Sequence, residues 1–185
     1  MLTPSLDMGR DHVFGHRFAQ IELVEYGDLQ CAKCADVYPE IKMLQEFLGS
    51  QLIFSFRHYP LPHLHPMALE AAVACELAAP QDKFWHMHDI IFENQKFLSR
   101  AALLRFGDEI EMDMSAYIDS RQYKIAAQRV QDDFNSGVKS GVNGTPTFFI
   151  NGLRYNGLND FDSLCKACKY AFLLQEVEWK QPVNN

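Results

Sequence analysis

The chain lacks any apolar run of the roughly 18 to 20 residues that a membrane-spanning helix needs. It also lacks a cluster of Lys or Arg: 17 basic residues face 24 acidic ones, for a formal net charge of −7. A surface so poor in cations displaces few counterions from phosphates, which argues against nucleic acid and against anionic membranes as partners. The first twenty residues interleave Asp7, Arg10, Asp11, His12, His16 and Arg17 with apolar positions, so the uninterrupted apolar core of a secretory leader is missing. Read as a whole translated chain, the protein is expected in the cytoplasm, where thiols stay reduced. A chain trimmed of its leader would be periplasmic or secreted. Internal repeats and low-complexity stretches are absent. Cysteine is scarce, five in 185 residues, and a domain of this length buries roughly 70% of its extended-chain surface without disulfide staples. Those cysteines are therefore free for chemistry.

What is present fits a globular domain: 48% hydrophobic residues, with 14 Phe, 7 Tyr and 2 Trp. Residues 20–26 alternate as a strand, with Ile21, Leu23 and Glu25 on one face and Val24 and Tyr26 on the other. Gly27 and Asp28 break it. From Cys31, apolar positions recur at helical steps through Cys34, Val37, Tyr38, Ile41, Leu44 and Leu48, with Pro39 predicted to kink the helix. Residues 51–60 read as a second strand. Helical patterns follow over 67–79, 83–94, 99–107 and 114–137, with Pro66 at a first helical position and Ser99 and Asp113 as caps. Residues 145–150, the pair Asn151-Gly152 and residues 153–155 make a hairpin signature, before a last amphipathic helix over 160–174 and a tail expected to fray. The order predicts an α/β fold, a mixed sheet flanked by helices, with an all-helical insertion between a β-α-β and a β-β-α half.

Cys31-Ala32-Lys33-Cys34 follows a strand and opens a helix, the context in which a C-x-x-C pair is informative. One helical turn brings the two sulfurs within disulfide reach. The first lies at the helix N-terminus, where free N–H groups and the macrodipole favour a thiolate by roughly 0.3 to 2 kcal/mol. The second lies one turn in, on the core face. Cys31 is thus the expected nucleophile and Cys34 the resolving thiol. The competing readings are half of a zinc site or two idle thiols.

The run VEYGDLQCAKC, the downstream GVNGTPTFFINGLRY and the central helical block together resemble the thioredoxin fold with a helical insertion, as in DsbA-like thiol:disulfide oxidoreductases. The resemblance covers residues 18–174. It rests on four features in order: Glu25 six positions before the first cysteine, the pair Cys31 and Cys34, Pro39 in the following helix, and Thr145-Pro146 opening the hairpin. It implies a cis Pro146 that keeps a third metal ligand away from the thiols. It also implies that the backbone at Thr145 lies across from Cys31 and pairs with an extended substrate segment as an added strand. Ala32 and Lys33, between the cysteines, join Thr145 and Pro146 as expected substrate-facing positions. Lys33 departs from the His that strongly oxidising relatives carry there, which leaves the redox direction open. On this division a thioredoxin-like domain comprises 12–62 and 139–175, the insertion 63–138, and the extensions 1–11 and 176–185.

A carboxylate on the apolar face of a central strand must be neutral, paired or catalytic, unless it reaches solvent at a strand edge. Burial would raise the pKa of Glu25 and fit it to accept the Cys34 proton as a general base. Cys165 and Cys168 repeat the spacing, but mid-helix, on the stripe of Phe161, Leu164 and Phe172, so they read as buried core thiols rather than zinc ligands. Cys75, on an Ala-rich face, reads as core filler. His58, His63, His65, His86 and His88 suggest a metal, yet His86 and His88 are two apart on a helix and cannot chelate together; solvated or hydrogen-bonded histidines are expected.

The sequence therefore predicts an enzyme that exchanges disulfides with protein or peptide substrates through Cys31 and Cys34, without a metal or organic cofactor. A separate redox partner would regenerate the pair. Two rivals stay open: a thioredoxin-like module that binds peptide or zinc without turnover, and a glutathione-dependent enzyme with one essential thiol.

Overall fold

The computed structural model describes residues 1–179, with side-chain surroundings through Leu174. The chain opens with β1 (His12–Gly15), β2 (Ile21–Gly27), α1 (Ala32–Leu48) and β3 (Leu52–His58). Five helices follow: α2 (Ala68–Ala78), α3 (Phe84–Glu93), α4 (Arg100–Glu109), α5 (Ser115–Ile118) and α6 (Ser120–Lys139). The chain then returns through β4 (Thr147–Ile150) and β5 (Leu153–Arg154) to α7 (Phe161–Trp179).

One mixed sheet has the order β1-β3-β2-β4-β5. β2 and β3 are parallel, which requires a crossover, and α1 supplies it. The other neighbours pair antiparallel. Central β2 is buried on both faces. Ile21 and Leu23 pack with Phe54, Phe56, Phe148 and α1 in the larger core, while Val24 and Tyr26 join Tyr59, Phe149 and Leu2 in a smaller one. Each of these large side chains stabilises the fold by roughly 1.5 to 3 kcal/mol through burial. The turn between β4 and β5 is built by Asn151 and Gly152, both at positive φ (47° and 78°), as its sequence pair requires.

Several elements differ from the sequence expectation. β1 was not anticipated; its four residues have no alternation of their own and are held by pairing to β3. The helix expected over 114–137 is two helices, because the Asp119 carboxylate accepts hydrogen bonds from the N–H groups of Arg121 and Gln122 and caps a new start. The short helix before it is capped at Met114 and not at Asp113, whose Oδ1 accepts from Ser115 N–H one residue ahead of the cap, while Ser99 caps α4 through Ala102 N–H. Pro66 precedes α2 by two residues instead of opening it. Pro39 lies inside α1, as the helical spacing places it. α7 continues to Trp179, through the first part of the segment expected to fray; residues 180–185 lie outside the described residues.

The N-terminal segment is tied to the sheet. Leu2 is buried in the smaller core, and Thr3 N–H donates to Ser140 Oγ at 2.8 Å. Arg57, fully buried on β3, donates to both Asp11 oxygens (2.9 and 2.7 Å), to Tyr26 Oη, and to the carbonyls of Pro4 and Ser5. A buried guanidinium is tolerable only when its donors are satisfied in this way.

Candidate active site

The end of β2 and the start of α1 meet at a tight passage. A Cβ at Gly27 would collide with the Phe56 ring, so only glycine lets β2 pass. Asp28, next in line and buried, organises the following loop. Its Oδ1 accepts from Gln30 N–H at 2.8 Å, and its Oδ2 accepts from Leu61 N–H at 2.9 Å and lies 2.8 Å from His65 Nδ1. From the inserted helices, Gln95 Nε2 donates to the carbonyls of Leu29 and Cys31, both at 3.0 Å. The loop that presents the cysteines is thus clamped from the sheet side and from the helical side.

Cys31 occupies the N-cap of α1 in an extended conformation. It retains 7% of its surface, whereas Cys34, one turn in, retains none. Cys31 Sγ lies 3.6 Å from the Thr145 carbonyl oxygen, and the Thr145–Pro146 peptide is cis. The Cys31 thiol is lowered to about 5, chiefly by the hydrogen bond from the Cys34 thiol. The Thr145 side chain and the N–H groups of Cys34 and Lys33 help, against an opposing effect of burial. The Thr145 hydroxyl is buried without another hydrogen-bond partner, and so is available to a thiolate. Burial pushes Cys34 well above its ordinary range; the hydrogen bond it gives to Cys31 and the charges of Glu25 and Cys31 add to this. The two thiols, three positions apart in sequence, are therefore opposite in character, one ionised and reachable, one neutral and enclosed.

Glu25 is 3% exposed. Its partners across the ladder are Phe56 on β3 and Phe148 on β4, so the sheet offers it no polar neighbour. Desolvation raises its carboxyl to about 8, and the charge on Cys31 adds to the effect. It lines a small cavity together with Cys34, Tyr38, Lys42 and His88. Ala32 and Lys33 are exposed, and Thr145 and Pro146 are half-buried.

The residues set aside on sequence grounds fall where the helical patterns put them. Cys75, Cys165 and Cys168 are buried in the larger core, and burial pushes Cys168 up to about 12. His12 and His58 lie 3.0 and 3.2 Å from Glu76 Oε1. His88 pairs with Asp89, while His63 and His86 are exposed. Among the described residues no three His, Cys, Asp or Glu side chains converge on a metal-sized point. Asp28, Gln95 and His88 were not singled out for this site by sequence. For Asp28 a signal exists, an Asx turn three residues before the N-cap of a helix; for Gln95 there is none.

A parallel β-α-β start, an antiparallel hairpin return and a helical block set between them, with a cysteine pair opening the first helix, define the DsbA-like class of thioredoxin folds. The chain belongs to the thioredoxin family, whose model, described as Thioredoxin, matches residues 7–169. Among solved structures, a variant of Wolbachia pipientis alpha-DsbA1 superposes with a TM-score of 0.80 at 18% identity, covering 95% of this chain and 96% of that one. Oxidised BdbD from Bacillus subtilis does so with a TM-score of 0.77 at 21% identity, covering 90% and 95%. At these identities the likeness is one of fold. Among curated proteins, a Na(+)/H(+) antiporter NhaA 3 from Salinispora tropica is 36% identical over 172 residues. The match covers 92% of this chain but 26% of the antiporter, so the chain spans about a quarter of the length of that relative. Among the described residues no helix is long and apolar enough to cross a membrane.

Proposed function

We propose that the protein is a thiol:disulfide oxidoreductase that exchanges disulfides with protein or peptide substrates through Cys31 and Cys34. The observation that carries this reading is the asymmetry of the pair: an acidic thiol at a helix N-terminus facing the Thr145 backbone, with its partner protonated behind it. Cys31 thiolate attacks a substrate disulfide, forming a mixed disulfide and releasing one substrate thiolate. Glu25 takes the Cys34 proton. The Cys34 thiolate then attacks Cys31 sulfur, the second substrate thiolate leaves, and a Cys31–Cys34 disulfide remains for a redox partner to reduce. Run backwards, the oxidised pair donates a disulfide; the compartment sets the direction.

A polypeptide substrate is supported by two features. Thr145 offers backbone groups for strand addition beside the sulfur. An apolar groove of about 410 Å³, lined by Leu61, Leu64, Leu69, Val130 and Phe134, opens beside the loop that Asp28 anchors. Ala32 and Lys33 complete the exposed rim.

The test is insulin-disulfide reduction by the native protein, Cys31→Ser and Cys34→Ser. Turnover by the native protein, none by Cys31→Ser, and a mixed disulfide trapped on Cys31 in Cys34→Ser are expected. Absence of turnover with a reducible pair overturns the reading. Undiminished glutathione-dependent turnover in Cys34→Ser would point to single-thiol chemistry, and about one equivalent of zinc in an inactive protein to a chelating module.

A further inference from the structure

Resolution of the mixed disulfide leaves a proton on Glu25, and the sheet gives it no way out. Its ladder neighbours are Phe56 and Phe148. Glu25 Oε1 is buried without a hydrogen-bond partner, and so is Nε2 of His88 on α3, in the inserted block. Both side chains line the same cavity of about 10 Å³, with Cys34, Tyr38 and Lys42. That volume lies at the lower limit for one water, and the two orphaned atoms are the partners such a water needs.

Behind His88 the path continues. Its Nδ1 lies 2.9 Å from Asp89 Oδ1, and the other Asp89 oxygen pairs with Lys42 Nζ. Asp89 and Lys42 are partly exposed, at 27% and 35% of their side-chain surface, so the chain of groups reaches solvent. With Nδ1–H donated to Asp89, Nε2 is the acceptor that faces the cavity. Burial lowers the His88 pKa, which keeps the ring neutral and able to accept.

We propose that His88 relays the resolving proton from Glu25 to solvent, so that α3 of the helical block completes the chemistry of the cysteine pair. The inference rests on the dithiol exchange proposed above. The proton taken from Cys34 passes from Glu25 through water to His88 Nε2, as the Nδ1 proton leaves by way of Asp89 to water. The ring then returns to its first tautomer. No electrons move in this step; the oxidised product is the Cys31–Cys34 disulfide and the reduced product the substrate dithiol, whose leaving thiolate takes a proton from solvent. His88 acts through Glu25 and touches neither sulfur in the exchange.

The experiment uses the reduced protein and Ellman's reagent in stopped flow. The first thionitrobenzoate released reports attack by Cys31, and the second reports resolution by Cys34. His88→Gln keeps a polar side chain but cannot relay, and is expected to slow the second phase about tenfold at pH 7. Its resolution should lose most of the native pH dependence between pH 6 and 9. The profile is read against the other titratable groups around the ring: Glu25 on β2, Cys34, Tyr38 and Lys42 on α1, His58 on β3, Cys75 and Glu76 on α2, and Asp89 beside it. Glu25→Gln combined with His88→Gln should be no slower than Glu25→Gln alone, a result that a packing role for His88 does not produce. Asp89→Asn, at the half-exposed end, should slow the second phase in the same direction and decides the matter if His88→Gln does not fold. A second phase unchanged from pH 5 to 9, or multiplicative effects of the two substitutions, overturns the relay. A native protein that releases no second thionitrobenzoate overturns dithiol exchange itself, whatever His88 does.

Discussion

Cys31 Sγ and the Thr145 carbonyl oxygen, 114 residues apart in sequence, stand 3.6 Å from one another. This contact joins the helix-opening cysteine to the loop before the hairpin. Because the hydrogen bond from Cys34 is the largest cause of the lowered Cys31 pKa, the midpoint depends on the second thiol. Iodoacetamide alkylation of the reduced protein should show a midpoint of about 5 for Cys31. In Cys34→Ala the midpoint should rise toward the free-thiol range. A native midpoint above 8 would contradict the site geometry.

Glu25 makes stability depend on pH. Its carboxyl is raised to about 8 from an ordinary 4.5. The folded state therefore holds the proton that the unfolded state gives up, and stability is full below about pH 4.5 and falls as pH rises through 8. In the oxidised protein, where no Cys31 thiolate titrates, Glu25→Gln removes this loss. From pH 5 to pH 8 the variant should gain roughly 3 kcal/mol on the native protein in urea unfolding. An unchanging difference across that range would mean that the carboxyl reaches water.

How much of this was readable from sequence depends on where each cause lies. The strand, the cysteine pair and α1 are set by local alternation and helical spacing, so residues 20–48 carry their own signal. The hairpin does too, through Asn151-Gly152. β1 does not, because its pairing with β3 is what makes His12–Gly15 a strand. Asp119 reads as one more polar position in a helical run until its cap geometry is seen. Glu25 was placed on the right face by parity, but its depth follows from Phe56 and Phe148, both distant in sequence. Gln95 and His88 acquire their roles only when the helical block folds back on the cysteine loop.

Gly27 tests the packing at the end of β2. A methyl group there meets the Phe56 ring and approaches Glu25 Oε1 at 3.0 Å. Gly27→Ala should cost about 1 to 3 kcal/mol by displacing Phe56, as overpacked cores do. Chemical denaturation measures the loss, and an unchanged midpoint would show that the ring can step aside without penalty.

Asp11 tests the anchoring of the N-terminal segment. Its carboxylate is the bidentate acceptor for buried Arg57 and takes a further bond from Arg10 Nη1 at 3.1 Å. Asp11→Ala strands a buried guanidinium and should destabilise the fold by about 3 to 5 kcal/mol. The alkylation midpoint of Cys31 should not move, since this network lies on the opposite face of the sheet. A shift in both quantities would show that the two faces of the sheet are energetically linked.

The remaining cysteines supply a count that the fold fixes in advance. Cys34, Cys75 and Cys168 have no exposed surface, Cys165 has little, and burial raises Cys34, Cys75 and Cys168 above the range in which a thiolate forms near neutral pH. A reagent must wait for the chain to open before it meets Cys34, Cys75 or Cys168, so the alkylation of these three follows the opening equilibrium and not thiol chemistry. Mass spectrometry of the reduced native protein after brief iodoacetamide treatment at pH 7 should therefore show a label on Cys31 and none on Cys34, Cys75 or Cys168. In denaturant all five cysteines should label. Rapid native labelling of Cys168 would mean that α7 is not seated against the sheet as described, and the core beneath α1 would have to be redrawn with it.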